Sequence, residues 1–270
     1  MRGISRASLA ELEERLTPIT ASAATAAPLG NELFTVAGLL SSQPALRRAL
    51  ADPSRPADAR SALAASLLTG RVSEATTSLV AAAAAARWSL PGDLTNAVEQ
   101  LAAEAIVAAA DAEGRLDELE DELFRFGRVV ASQPELRIAL TNPFVPAEAK
   151  RALLDELLAG KVTPEALRLI TEAAVSPLGR SLDVSLEHYA QLAARRRELL
   201  VAEVRAAVAL TSQQRARLAA TLATAYGHQV HLNVVLDPKV AGGMTVRVGD
   251  DLIDGSVATR LAGARRKLAS

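Results

Sequence analysis

Apolar residues recur at intervals of three and four along the first 200 positions, the spacing that is typical of amphipathic helices. The pattern predicts a first helix over about 5–19, a loop rich in small residues over 20–30, and helices over 94–112, from 117 onward and over about 181–198. The clearest apolar stripe lies on the helix from 117 and consists of Leu116, Leu119, Leu123, Phe126 and Val130. On the other side of that helix, Asp121 and Arg125 are four residues apart and are expected to pair.

Beyond residue 199 the apolar residues begin to alternate with polar ones, which is typical of strands. This part predicts a strand over 200–210 and two further strands, 229–236 and 244–248, which a turn containing Pro and Gly joins as a hairpin. Between them, Thr211 and Gln214 have the spacing of a capping box at the start of a helix. A final helix is expected after a cap at Asp254 or Ser256.

Part of the chain occurs twice, displaced by 90 residues. Residues 42–72 and 132–162 align without a gap and are identical at 17 of 31 positions. The match extends upstream, where Glu32-Leu33-Phe34 recurs as Glu122-Leu123-Phe124. With only two copies, the pattern indicates a duplicated helical module rather than a solenoid.

These patterns together predict a mainly α fold, in which duplicated N-terminal helical bundle modules precede a small α+β C-terminal domain. The expected domains are an additional helical module over 1–93, a second helical module over 94–198 and the α+β domain over 199–270. Alanine and leucine dominate the composition, and both favour helix.

Composition excludes several classes of function. A net charge of −1 offers nothing that would attract the chain to nucleic acid, and the absence of cysteine excludes disulfides and thiolate metal sites. The longest apolar run, 79–86, is far short of the roughly 20 residues that cross a bilayer, so no membrane insertion is expected. No phosphate loop, dinucleotide fingerprint or hydrolase motif occurs, and we expect no cofactor, no metal and no catalytic residue.

The weaker candidates for chemistry have simpler interpretations. His228 and His231 begin a strand and would point to opposite faces, which disfavours a shared metal. The basic run 195–197 is typical of a solvated helix end, and Trp88 is expected to be a core or interface anchor. Aspartates near 250 fit turns and caps better than a calcium loop, because oxygen ligands are missing at two required positions.

The most specific pattern stands at the C-terminus, over Leu236–Leu268. Its signature positions are Asp237, Pro238, Gly242, Gly243, Gly249, Asp250, Asp254, Gly255, Ser256 and Arg260, around an alternating strand of Met244, Val246 and Val248. This stretch resembles the delta subunit of F-type ATP synthases, whose mitochondrial counterpart is the oligomycin-sensitivity-conferring protein. Residues 94–197 resemble the six-helix domain of that family. The additional copy over 1–93 resembles the lengthened form found in actinobacteria.

The resemblance implies a non-catalytic subunit of the peripheral stalk, or stator, that lets rotation drive ATP synthesis. The partners it implies are the N-termini of the alpha subunits and the C-terminus of the b subunit. The complex would place the chain peripherally at the cytoplasmic face of the bacterial cell membrane. The alpha segment is expected between the family's first and fifth helices, here 94–112 and 165–175, with Val98, Leu101, Leu167 and Ile170 as contacts. Each of these could equally be bundle core.

Other interpretations stay open at this point. The C-terminal domain is expected to bind the b subunit, and the additional copy is expected to offer a second docking surface on the stalk or head. A generic helical scaffold outside ATP synthase is the main alternative. An enzyme would need a convergent polar pocket, which the sequence does not indicate.

Overall fold

The computed structural model describes residues 3–176, 180–197, 200–226, 230–237, 240, 243–248 and 251–254. The chain forms two compact units, Met1–Arg196 and Arg197–Ser270. The first is helical and the second combines one helix with a small sheet, which confirms the predicted fold class.

The described residues of the first unit form eleven helices. They are α1 (Gly3–Ile19), α2 (Ala23–Ser42), α3 (Pro44–Ala51), α4 (Ala57–Leu68), α5 (Glu74–Ala85), α6 (Pro91–Ala112), α7 (Leu116–Ser132), α8 (Pro134–Thr141), α9 (Ala147–Leu158), α10 (Pro164–Val175) and α11 (Leu182–Arg197). The predicted loop over 20–30 is wrong, because α2 begins at Ala23. Its small residues serve close helix packing: a Cβ added to Gly30 would lie 3.0 Å from the carbonyl oxygen of Ala102 in α6.

The duplication is visible in the helices. Helices α2 to α5 recur as α7 to α10, and residues whose numbers differ by 90 are called repeat-equivalent below. Helix α6 follows α5 and precedes α7, so it closes the first copy and opens the second. A boundary at residue 93 therefore stays a prediction, since α6 packs against α1, α2, α3 and α5 as well as α7 and α10.

A repeated carboxylate caps the start of the fifth helix in each copy. Glu32 on α2 accepts hydrogen bonds from the backbone nitrogen (3.0 Å) and the hydroxyl (2.6 Å) of Ser73. Repeat-equivalent Glu122 on α7 accepts the same pair from Thr163, also at 3.0 and 2.6 Å. A negative group at this end satisfies amides that the helix leaves unpaired and suits the helix dipole.

A repeated cation caps the other end of the same helix. Arg60 on α4 is buried and donates to the last carbonyl groups of α5, at 2.8 Å to Ala86 and 3.0 Å to Ala85. Repeat-equivalent Lys150 on α9 donates to Ala174 at 3.3 Å. The fifth helix is thus held at both ends by the side chains of its own copy.

The ends of two helices, the predicted Asp121–Arg125 pair and the predicted core position of Trp88 complete the helical unit. Gly70 and Gly160 follow α4 and α9 with φ of 75° and 71°, the left-handed conformation that ends a helix. Asp121 and Arg125 pair at 3.0 Å on the exposed side of α7. Trp88 is a core residue, 8% exposed, and donates to the carbonyl of Ala83 at 2.9 Å.

The second unit contains β1 (Leu200–Ala206), α12 (Ser212–Tyr226), β2 (Val230–Leu236), β3 (Met244–Val248) and β4 (Asp251–Asp254). The strand order is β2-β1-β3-β4, with β1 parallel to β2 and antiparallel to β3. The predicted hairpin of the second and third strands is therefore wrong, because β1 lies between them. A crossover through α12 places β2 beside β1 in parallel, which leaves the other edge of β1 for β3.

Smaller differences concern the ends of elements. The first strand ends at Ala206 rather than 210, and residues 251–254, for which turn and cap roles are predicted, form β4 instead. The capping box is confirmed, since Gln214 accepts from the Thr211 nitrogen at 2.9 Å and Thr211 accepts from the Gln214 nitrogen at 3.2 Å. The predicted final helix lies outside the described residues.

Candidate partner-binding surface

Helix α6 is enclosed on every side, unlike the helices at either end of the array. Leu94, Leu101 and Ala105 are each 0% exposed and follow one stripe of the helix. Their repeat-equivalents are exposed, both on α1 and on α11: Ile4, Glu11, Arg15, Val184, Gln191 and Arg195. This stripe faces outward in a single copy, and the duplication buries it.

The structure brings together the two helices predicted to bind the alpha subunit, since α6 and α10 pack against each other. Of the predicted contact residues, Val98, Leu101 and Ile170 are 0% exposed, while Leu167 is half-buried. Their role as contacts stays a prediction. In the folded chain, a partner segment reaches Val98, Leu101 and Ile170 only if neighbouring helices separate, whereas part of Leu167 is accessible.

Helix α2 of the first copy reaches both helices of this pair. It packs along α6, and on α10 the Arg168 Nε atom donates to Asn31 Oδ1 at 2.6 Å. The guanidinium carbon of Arg168 lies 4.9 Å from the centre of the Phe34 ring, and the same guanidinium pairs with Glu172 at 2.6 Å. Because α2 belongs to the first copy, these contacts place a helix of the first copy against α6 and against the Arg168 side chain of α10.

The hydrophobic side of α2 is buried in the core of the helical unit. Its large apolar side chains are between 0% and 4% exposed: Leu29, Leu33, Phe34, Val36 and Leu40. Burial of such side chains contributes about 1.5–3 kcal/mol each, together roughly 8–15 kcal/mol as an upper estimate.

A buried polar cluster joins α11 to α6. Glu99, only 3% exposed, accepts a hydrogen bond from the Tyr189 hydroxyl at 2.7 Å and pairs with Arg180. Burial raises the pKa of Glu99 despite the nearby Arg180, and burial together with Glu99 raises the pKa of Tyr189. His188 contacts Gln100 at 2.8 Å, and burial lowers its pKa to about 4. These groups fix α11 in place.

The same face of α6 carries one more perturbed carboxyl. Burial and the nearby Glu13 carboxylate raise the pKa of Glu104 to about 8, although the amide of Gln100 donates to it at 2.7 Å. Further along, Arg196 pairs with Asp111 at 2.8 Å, so one member of the basic run has a structural partner. Sequence reasoning missed the contacts that Glu99, Gln100 and Asp111 make with residues 180–196, because each joins residues more than 80 positions apart.

In the second unit, the two faces of the sheet differ. The face against α12 is apolar, with Ala202, Val204, Val246 and Val248 buried beside Leu222. The other face carries a shallow depression lined by Glu203, Arg205, Thr245, Arg247 and Leu252. The charged side chains in its lining make it the candidate surface of this unit for a charged partner.

The C-terminal signature is only partly described. The Asp237 nitrogen donates to the Ala206 carbonyl at 3.0 Å, and its carboxylate lies 3.9 Å from Arg205. Gly243 has φ of 82°, a left-handed conformation that glycine adopts readily. Asp254 lies at the end of β4. The remaining signature residues lie outside the described part of the chain: Pro238, Gly242, Gly249, Asp250, Gly255, Ser256 and Arg260.

Neither a metal-binding cluster nor a membrane-spanning helix is found among the described residues of the two units. No group of three or more His, Asp or Glu side chains there could hold a metal ion. Among the same residues, no helix is both long and apolar enough to cross a membrane.

Comparison with known proteins covers the whole chain. The family model for the ATP synthase delta (OSCP) subunit matches residues 98–268. The chain is 49% identical over 269 residues to the ATP synthase subunit delta of Thermobifida fusca, with 100% of both chains covered. It is 46% identical to that of Streptomyces avermitilis, over 99% of this chain and 98% of the relative, and 44% identical to that of Acidothermus cellulolyticus, over 100% of both. The additional copy is thus shared with full-length relatives.

Proposed function

The chain belongs to the ATP synthase delta (OSCP) subunit family, and from this premise we propose how it joins its partners. Members of the family are structural, non-catalytic subunits of the peripheral stalk of F-type ATP synthase. The generic scaffold and the enzyme considered from the sequence are set aside by this membership. The observation that carries the assignment is the end-to-end match to subunits delta, which includes the first copy.

We propose that the two units serve two partners. The helical unit binds the N-terminal segment of the alpha subunit, and the α+β unit binds the C-terminal end of the b subunit. Two separately packed units, and a depression with charged lining residues on the sheet of the second, support this division. The chain associates peripherally with the membrane through the complex, and we place it at the cytoplasmic face.

The b-subunit contact is tested by removing residues 199–270. The truncated chain is expected to lose binding to a soluble b fragment in calorimetric titration, while circular dichroism shows a folded helical unit. Retained binding to b by the folded truncated chain would move the b site to the helical unit.

The alpha-subunit contact is tested with the full chain. A peptide from the alpha-subunit N-terminus is expected to bind one-to-one in a calorimetric titration, with an affinity that the truncation of residues 199–270 does not change. An affinity that depends on the α+β unit would refute the division of partners between the two units.

The first copy is proposed to offer a second docking surface on the stalk or head. Substitution of exposed α1 residues tests this better than deletion of 1–90, which would uncover Leu94 and Leu101 on α6. Glu11→Ala with Arg15→Ala removes an exposed pair that is joined at 2.7 Å, with little expected effect on folding. Unchanged assembly and coupling in a series of such surface variants would leave the first copy without a docking role.

A further inference from the structure

We propose that α2 is a permanent intramolecular ligand of the outer groove between α6 and α10. A partner helix is then excluded from this groove in the folded chain, and Val98, Leu101 and Ile170 are core beneath the first copy. The inference rests on the proposed function only for the identity of the excluded helix, the alpha-subunit segment.

The first argument is that α2 contacts both walls of the groove. Against α6 it packs so closely that a Cβ at Gly30 would lie 2.7 Å from Ile106 Cδ1 and 3.0 Å from the Ala102 carbonyl oxygen. Against α10 it presents Asn31 and Phe34 to the Arg168 side chain, by a 2.6 Å hydrogen bond and a cation–π contact. A helix held on two walls by side chains of different chemistry occupies a defined position.

The second argument comes from comparing the two copies. On one side of α2, Gly30, Phe34 and Ala37 are buried. Their repeat-equivalents on α7, Glu120, Phe124 and Gly127, are not buried. The Phe124 side chain is 61% exposed, whereas that of Phe34 is 2% exposed. The first copy has glycine where the second has glutamate, at the position of closest approach to α6. The sequences of α2 and α7 therefore differ on the side where α2, but not α7, packs against the other copy. Internal and terminal repeats of repeat proteins differ in the same way.

The third argument is the extent of burial on α2. The apolar residues of α2 belong to the same continuous core as those of α6 and α10. A segment that opens as a lid makes few buried contacts, and its backbone amides exchange hydrogen faster than those of the core. The contacts of α2 have the opposite character, so its separation requires unfolding of the helical unit.

Hydrogen exchange on the full chain tests this directly, without any partner. The backbone amides of α2 between Leu29 and Leu40 are expected to be as protected as those of α6 between Val98 and Ala105, within about tenfold. Exchange of the α2 amides about a hundredfold or more faster than those of α6 would overturn the proposal, because it would show that α2 opens on its own.

A cross-link provides the second test, since the chain has no cysteine of its own. Asn31→Cys with Arg168→Cys, joined by a short bismaleimide, fixes α2 to α10 at the position of the native hydrogen bond. Asp121→Cys with Arg125→Cys, joined on the exposed side of α7, is the matched control. The alpha-subunit peptide is expected to bind both cross-linked chains equally.

The outcomes separate the two proposals. A loss of tenfold or more in peptide affinity only in the chain cross-linked between α2 and α10 would refute permanent occupation, because the peptide would need α2 to move. If the peptide binds no form of the chain, the alpha contact in the proposed function fails, and hydrogen exchange alone decides the inference.

Discussion

Two glycines on α2 give a matched test of its packing against α6. A Cβ at Gly30 would meet Ile106 Cδ1 at 2.7 Å, Ile106 Cγ1 at 2.9 Å and the Ala102 oxygen at 3.0 Å. A Cβ at Gly38, two turns further along the same helix, would meet nothing within 4 Å. The same substitution, Gly→Ala, is therefore expected to have opposite effects at the two positions.

The magnitudes follow from two opposing contributions. In a helix, alanine is favoured over glycine by about 0.5–1 kcal/mol, and Gly38→Ala should gain this amount in free energy of unfolding. Gly30→Ala gains the same propensity but overpacks a buried contact, which costs about 1–3 kcal/mol. Because the Ala102 oxygen belongs to helical backbone and cannot yield, α2 must shift, and we expect a net loss of about 1–2 kcal/mol.

Urea denaturation followed by helical circular dichroism measures both variants. The expected order of midpoints is Gly38→Ala above the parent chain and Gly30→Ala below it, with unchanged slopes. Thermal unfolding should move in the same directions, by about 2–4 °C per kcal/mol for a unit of this size. If Gly30→Ala is as stable as Gly38→Ala, α2 does not approach α6 as closely as described, and the account of the covered groove loses its first argument.

Three further predictions concern single side chains. Phe34→Ala should lower the free energy of unfolding by about 3–5 kcal/mol in urea denaturation, whereas repeat-equivalent Phe124→Ala should change it by less than about 1 kcal/mol; equal effects would contradict the burial difference. Glu122→Gln removes the charge at a buried cap and should lower the free energy of unfolding by about 1–3 kcal/mol in the same measurement. Glu32→Gln, at the more exposed cap, should lower it by less, and a larger loss at Glu32 would refute this. Because the pKa of Glu104 is raised from 4.5 to about 8 in the folded chain, its contribution to stability is complete below pH 4.5 and declines as the pH rises to about 8. Urea midpoints measured across this range should fall less with pH in Glu104→Gln, and an unchanged profile would contradict the raised pKa.

Helices with strong periodicity could be predicted from the sequence, and the stripe from Leu116 to Val130 is an example. The start of α2 could not, because Pro28, Gly30 and several alanines suggest a loop until α6 is known to lie against them. The order of the strands was missed for a related reason: neighbours in sequence were assumed to pair, while α12 carries the chain across the sheet. Both errors arise from contacts between distant segments, which override local preference.

The candidate partner-binding surface, too, could be predicted only in part from the sequence. The sequence identified α6 and α10 as neighbours through family resemblance, and it identified Leu101 as an apolar residue of their shared side. Whether Leu101 faces a partner or the core depends on where the first copy packs. The duplication is visible in the sequence, but the relative placement of its copies is not. The paired caps at Glu32 and Glu122 left a signal in the repeat, because the Glu-Leu-Phe segment recurs with a Ser or Thr 41 residues later.

The central claim is that this chain connects the catalytic head of an F-type ATP synthase to its membrane part. The most direct measurement is ATP-driven proton pumping in membrane vesicles whose ATP synthase lacks this subunit, before and after addition of the purified full chain. We predict that the full chain restores pumping and retains the catalytic head on the vesicles, and that the chain without residues 199–270 restores neither. Pumping that stays absent while the full chain is bound to the vesicles would contradict the account.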